Sequence, residues 1–290
     1  MKGVMKSAKR NCKIGHTTIT WTDKDIEAAV KTISEMGFYG AETFGWVLDN
    51  LEKEGRSDLF KKYDIPLVSS YFSVDIFNPE KRQESMDKTE LWGNLLVKHG
   101  CKVVTLGGNQ VDRRNFNFLE NKKYLVDTTN EVGKRLADKG IKCCFHPHTG
   151  TPVEVKDEII SFMDAVDTRY VKFAPDLGQI EKGGTDTIQI VKDYLSILEH
   201  VHLKDFKGGK VEKDENGKEI DSTGFVCYTP LGEGVVDIAQ VMDILEEADF
   251  AGYVMVELDG GAVVPIPQEE ALQISKNYLE SLGYKIARVK

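Results

Sequence analysis

From one end of the chain to the other, short apolar runs alternate with stretches whose apolar residues recur every three to four positions. The first pattern predicts strands and the second predicts amphipathic helices. Strand 1 is expected over 12–21. A helix follows over 24–36, where Ile26, Ala29, Val30, Ile33 and Met36 share one face and Thr22 and Asp23 offer N-caps. Gly37 and Gly40 bracket the turn into strand 2 at 39–44, and Pro66 opens strand 3. Further strands are expected at 102–108, 141–148, 171–178, 198–205 and 252–258. The intervening helices cover about 47–62, 79–99, 117–139, 155–166, 185–197 and 236–248, with a last one at 268–283.

That makes eight strand–helix units. Most of the strands are nearly continuous apolar runs, as parallel strands covered on both faces are. Eight such units predict an α/β fold, a single (β/α)8 TIM barrel spanning 1–290 as one domain. No GxGxxG or GxxxxGK[ST] follows the first strands, so the signatures of an open nucleotide-binding sheet are missing. The segment 206–225 is too polar to pack, and in a barrel it falls on the rim after strand 7, where it could fold over a substrate.

Composition narrows the function classes. The net charge is −9 with no basic stripe, which argues against a nucleic-acid partner. No apolar run approaches the roughly 20 residues of a membrane span, and the basic first 16 residues lack the apolar core of a signal peptide. The five cysteines are odd in number and scattered, which fits a reducing cytoplasm.

The chemistry gathers at the strand ends. Four of six histidines form two His-x-His pairs, His146 with His148 and His200 with His202. Residues i and i+2 of a strand share a face, so each pair is expected to point two imidazoles the same way. Asp176 and Glu257 end other strands, and active sites of this fold sit at that rim. Burying so many polar groups together is costly unless a cation relieves it. Imidazole with carboxylate and no thiolate suits Mn2+, Co2+, Zn2+ or Fe2+ better than Ca2+. Other rim candidates are His16, Asn109, Gln110, Asp205 and Asp259, together with Glu42 and Trp46, which could bind the hydroxyls and one face of a substrate. Lys204 and Gln179 could orient substrate oxygens, and Glu257, His146 or His148 could serve as a base.

Asp176 in DLGQ, His202 in HVHLKD and Glu257 in VELD resemble the xylose-isomerase-like barrels, along the whole chain. That group includes sugar isomerases and epimerases, inosose dehydratases and endonuclease IV. The resemblance implies one divalent metal, with Mn2+ or Co2+ first, held by Asp176, His202, Glu257 and a residue ending strand 5. The family's usual glutamate there is replaced by His146, and HPHTG is similar to a segment of inosose dehydratases. Gln179 replaces another usual histidine, which with the acidic charge excludes the endonuclease branch. The loss of one glutamate of the epimerase pair favours a metal-dependent dehydratase acting on a keto-inositol (inosose) or keto-sugar. A sugar isomerase or epimerase, or the catalytic subunit of a 3-keto-C-glycoside deglycosidase, is the alternative. The resemblance also implies a homo-oligomer, and for the deglycosidases a small partner subunit over the barrel mouth.

Overall fold

In the computed structural model, eight parallel strands curl into one sheet. They are β1 (Lys13–Thr17), β2 (Ala41–Phe44), β3 (Leu67–Val74), β4 (Val103–Gly108), β5 (Lys142–Phe145), β6 (Val171–Phe173), β7 (His200–Leu203) and β8 (Tyr253–Val256). The structure describes residues 12–21, 23–209, 212–213, 219–220, 227–259 and 266–288. The hydrogen-bonded order runs from β6 back to β1, then to β8 and β7. Parallel bridges Phe173–Leu198 and Asp176–His202 join the two ends of that order. The chain is thus a single (β/α)8 barrel, as the apolar pattern predicts. The seam between β6 and β7 is thin: Glu199 N donates to Phe173 O at 3.2 Å and His202 N to Pro175 O at 2.9 Å.

The outer ring consists of α1 (Ile26–Glu35), α2 (Gly45–Lys53), α3 (Leu59–Lys62), α4 (Arg82–His99), α5 (Phe118–Ala137), α6 (Lys156–Met163), α7 (Leu177–Lys182), α8 (Thr187–Asp193), α9 (Ile238–Glu247) and α10 (Gln268–Ser281). Their apolar faces pack on the outward side chains of the strands. Val30, Ile33, Leu96, Leu125, Val132 and Leu136 are all fully buried there, each contributing about 1.5–3 kcal/mol. Among the described residues no helix is long and apolar enough to cross a membrane.

Several boundaries differ from the sequence expectation. The helix expected over 47–62 is two, α2 and α3, because Gly55 takes a left-handed φ of 69° between them. Thr22 lies outside the described residues, and the cap of α1 is Asp25, whose side chain makes no capping bond. Several strands are shorter than predicted. β5 stops at Phe145, so His146 and His148 stand in the loop beyond it. β6 stops at Phe173, and Asp176 instead caps the short helix α7, accepting from Gln179 N at 3.0 Å. Pattern reading missed α7 because six residues carry too little periodicity. Beyond β7, Asp205–Phe206 pairs antiparallel with Tyr228–Thr229, and Glu212–Lys213 pairs with Glu219–Ile220. Residues 210–211, 214–218 and 221–225 of the polar segment 206–225 lie outside the described residues.

Strand alternation sorts the barrel interior. Val103, Cys144 and Ala174 form a small apolar floor against Tyr253. Two residues further along these strands the inward side chains become polar, beginning with Thr105 on β4 and His146 beyond β5. The polar layer therefore sits at the C-terminal mouth.

Candidate active site

Glu42 is the hub of the polar layer. It is the second residue of β2, is 2 % exposed, and accepts from Ser69 Oγ at 2.5 Å and Thr105 Oγ1 at 3.2 Å. Its Oε1 accepts from His202 Nε2 at 2.8 Å. His200 Nε2 lies 2.8 Å from its Oε2, outside hydrogen-bonding angles. The second His-x-His pair thus points one way, as predicted, with both rings on one carboxylate. Burial pushes the Glu42 carboxyl up, but His202 and then His200 pull it further down, so it stays ionised. Burial holds His200 below the usual histidine range.

Above this hub, His146, Asp176 and His202 bring one ligand atom each within 4.8 Å of one another. His146 Nδ1 donates to Ala174 O at 3.1 Å, since a carbonyl only accepts. Its Nε2 is thereby left as a lone pair, 3.7 Å from Asp176 Oδ2. His202 is fixed the other way round. Its Nε2–H is spent on Glu42, and its Nδ1 has no hydrogen bond although Glu257 Oε2 is 2.6 Å away. Burial works against charging this ring, but Glu257 and Glu42 overcome it and hold its pKa well above the usual range. A cation, whether a proton or a metal, is what the Nδ1 position demands. His146 thus turns a free Nε2 towards Asp176, and His202 turns towards Glu257 an Nδ1 that carries a proton or, in its place, a metal. That donor set fits a divalent ion with oriented ligands. Glu42, His200 and His202 also cluster tightly, but a direct hydrogen bond already joins the first and last of them.

Lys204 is the counter-cation. It is fully buried, and its Nζ lies 2.9 Å from Asp176 Oδ2, 2.7 Å from Glu257 Oε1 and 3.1 Å from Asp259 Oδ2. Its ammonium also sits 4.7 Å from the centre of the Tyr228 ring. Burial disfavours its charge, but Asp176, Asp259 and Glu257 more than restore it. Burial likewise raises Glu257, but His202 and Lys204 pull it well below the usual carboxylate range. Asp176 ends up raised, because burial outweighs Lys204 there.

A cavity of about 160 Å3 opens beside this cluster, lined by Thr17, Thr18, Ile19, Glu42, Thr43, Phe44, Tyr71, His146, His148 and Glu257. His148 Nδ1 donates to Thr149 O at 2.7 Å, which leaves Nε2 as a lone pair. Burial, then the charge of Lys204, lowers its pKa, so the ring is neutral.

The other expected site residues fall further back. Trp46 does not line the cavity; it stacks on Phe44, which does, at 5.6 Å between ring centres. Gln179 is buried behind His148, its Oε1 accepting from Thr149 Oγ1 at 2.5 Å. Lys204 lies beneath the cavity among its carboxylates and not on its wall. His16 faces outward from β1, its ring edge-on to Phe38 at 5.2 Å and Trp21 at 6.1 Å, and so belongs to the core. Asp205 accepts from the backbone of Gly232, Gly234 and Val236, which makes it a loop anchor. Tyr71 and Thr17 were missed by sequence reading. The alternation Ser69, Tyr71, Ser73 along β3 was the available signal, since two serines mark that face as the polar one.

Comparison with known proteins agrees with this architecture. Residues 30–282 match the family model of the xylose isomerase-like TIM barrel. The chain is 27% identical over 289 residues to the inosose dehydratase of Clostridium perfringens strain 13, covering 92% of this chain and 96% of that protein. The inosose dehydratase of Clostridium beijerinckii is 28% identical over 298 residues, with 94% and 98% covered. Among solved structures, the IolI protein with a bound zinc atom superposes with a TM-score of 0.74 at 17% identity, covering 93% of this chain and 97% of that one. The apo 3-keto-D-glucoside 4-epimerase YcjR from E. coli gives 0.69 at 19%, covering 94% and 99%. With the fold, the rim cluster and the family match in agreement, the chain belongs to the xylose isomerase-like TIM barrel family.

Proposed function

We propose that this protein is a divalent-metal-dependent dehydratase acting on a keto-inositol or keto-sugar by α-proton abstraction and β-elimination. The observation that carries the reading is the state of His148, a neutral ring lining the cavity with its tautomer fixed by Thr149 O and Nε2 left as a lone pair. That is a general base ready to act near neutral pH. The inosose dehydratases among the relatives supply the substrate class.

His146, Asp176, His202 and Glu257 would hold the metal, and this donor set suits Mn2+, Co2+, Zn2+ or Fe2+, of which Mn2+ and Co2+ are the first to test. When bound, the ion supplies Lewis acidity towards a carbonyl and its neighbouring hydroxyl. His148 Nε2 takes the α proton. The imidazolium so formed then gives that proton to the β-hydroxyl, which leaves as water. Glu257 is poorly placed to be the base, because Lys204 and His202 engage its two oxygens. Lys204 keeps Asp176 and Glu257 paired in a site otherwise crowded with negative charge. An epimerase would need a second carboxylate for the opposite face of the substrate. Glu42 is the other carboxylate on the cavity wall, and both its oxygens are committed to histidines and hydroxyls.

The test is a substrate screen on chelator-stripped protein with Mn2+ or Co2+ added back. Inososes, keto-sugars and 3-keto-C-glycosides are supplied, and water loss, isomer formation and aglycone release are followed separately. Metal-dependent water loss is expected. Isomer or aglycone formation without dehydration, or full activity in chelator, rejects the reading. A second chain co-purifying with the protein favours the deglycosidase alternative.

A further inference from the structure

Two residues that line the cavity, Thr17 and Tyr71, carry hydroxyls without a hydrogen-bond partner among the described residues. Thr17 Oγ1 is buried without a hydrogen-bond partner, on a residue 4 % exposed. Tyr71 lines the same cavity from β3, and its hydroxyl makes no hydrogen bond among the described residues. They flank Glu42, one on the strand before it and one on the strand after. A buried hydroxyl left unpaired is destabilising, and native proteins rarely keep one without reason. Here Thr17 Oγ1 is one such group, and the Tyr71 hydroxyl, not fully buried, lines the same cavity unpaired among the described residues.

The Tyr71 ring is also deliberately accommodated. It lies edge-on to His146 at 5.5 Å, and its hydroxyl passes over Gly107 of β4. A Cβ at Gly107 would sit 1.7 Å from that oxygen. The backbone of Gly107 is not in the left-handed region, so only the tyrosine requires glycine there.

The charge of the wall is equally informative. Among the described residues lining the cavity none is Lys or Arg, while Glu42 and Glu257 are both present. Beyond the metal proposed above, a phosphate or carboxylate on the ligand would find no countercharge among these lining residues.

We infer that the cavity selects a neutral, unphosphorylated polyol ring, and that Thr17 and Tyr71 are specificity-determining residues which bind its ring hydroxyls. This rests on the keto-polyol reading given above but is tested by binding, apart from turnover. The experiment is titration calorimetry on Mn2+-loaded protein with an inosose, myo-inositol and fructose 6-phosphate, using wild type, Tyr71→Phe and Thr17→Val. Thermal melts are recorded without ligand. The neutral polyols are expected to bind at least about tenfold tighter than the sugar phosphate. Each substitution should weaken polyol binding by about 3- to 10-fold, the worth of one neutral hydrogen bond. Thr17→Val should at the same time melt about 2 °C higher, since it removes an unsatisfied buried hydroxyl. A merely structural threonine would not lose affinity while gaining stability. Gly107→Ala should mimic Tyr71→Phe by displacing the ring.

Wild-type affinity in both variants overturns the inference even if the enzyme dehydrates inosose. Tighter binding of the sugar phosphate overturns it too. Polyol binding that weakens in the variants, without any dehydration, upholds it and rejects the dehydratase reading. Absence of polyol binding by the wild type rejects both.

Discussion

Replacing Glu42 with glutamine keeps the shape of the side chain and removes its charge. In the native site the carboxylate is charge-assisted acceptor to His202 Nε2 at 2.8 Å and fixes that ring with its Nδ1 facing Glu257. A hydrogen bond to a charged group is worth about 1.5–3 kcal/mol and a neutral one about 0.5–1.5, so His202 loses about 1–1.5 kcal/mol of orientation and basicity. That alone is about tenfold in metal affinity. The amide can settle either way round. With its oxygen on His202 the tautomer survives and the loss stops there. With its NH2 on His202, Nε2 must accept, the ring proton moves to Nδ1, and a ligand nitrogen is blocked. The expected loss is therefore about 10- to 100-fold, the range for partners that orient metal-binding histidines. The assay is titration of stripped wild type and Glu42→Gln with Co2+, followed by visible absorption, and with Mn2+ by calorimetry. Urea midpoints check that both fold. If Glu42→Gln binds metal as tightly as wild type while His202→Ala binds none, Glu42 does not orient His202 for a metal and the account of the hub fails.

Three further outcomes follow from the same geometry. His148→Gln should reduce turnover by about 10²- to 10⁴-fold and leave metal affinity unchanged; equal losses of both would mean His148 is a ligand. Lys204→Met leaves Asp176, Glu257 and Asp259 facing one another and should lower stability by about 3–5 kcal/mol in urea. Added Mn2+ should recover part of that, and a variant as stable as wild type without metal would contradict the counter-cation role. His16 is held down to about 4 from 6.5, first by burial and against a weaker pull from Thr17 O. The unfolded chain thus binds a proton that the folded chain refuses between those values. The associated stability is intact above pH 6.5 and is lost as pH falls towards 4, by about 3 kcal/mol in all. His16→Gln should show a shallower acid decline than wild type by up to one proton, and parallel curves would refute the assignment.

The barrel was legible because its strands are buried on both faces and read as apolar runs between helical patterns. Asp176, His202 and Glu257 were legible because they end those runs in polar motifs. Sequence could not say that Lys204 would sit beneath the cavity, because a lysine after a strand reads as an exposed rim residue unless three carboxylates are known to converge on it. Trp46 and Gln179 read as substrate contacts because their positions lie near strand ends, yet each is screened by a neighbour, Phe44 or Thr149. Tyr71 was hidden for the opposite reason. An aromatic within a strand looks like core, and Ser69 and Ser73 on either side of it were the sign that its face of β3 is the polar one.

The thin seam between β6 and β7 has a consequence for how the barrel breathes. Two backbone hydrogen bonds hold it, and one belongs to His202 itself, opposite Asp176. A sheet opens first where its ladder is sparsest. The amides of Glu199 and His202 should therefore exchange with solvent deuterium early, through excursions that part Asp176 from His202. Anything that bridges those two side chains would close the seam as it fills the site. Slowed exchange at these two amides would then report occupancy of the mouth from the backbone alone, with no substrate turned over.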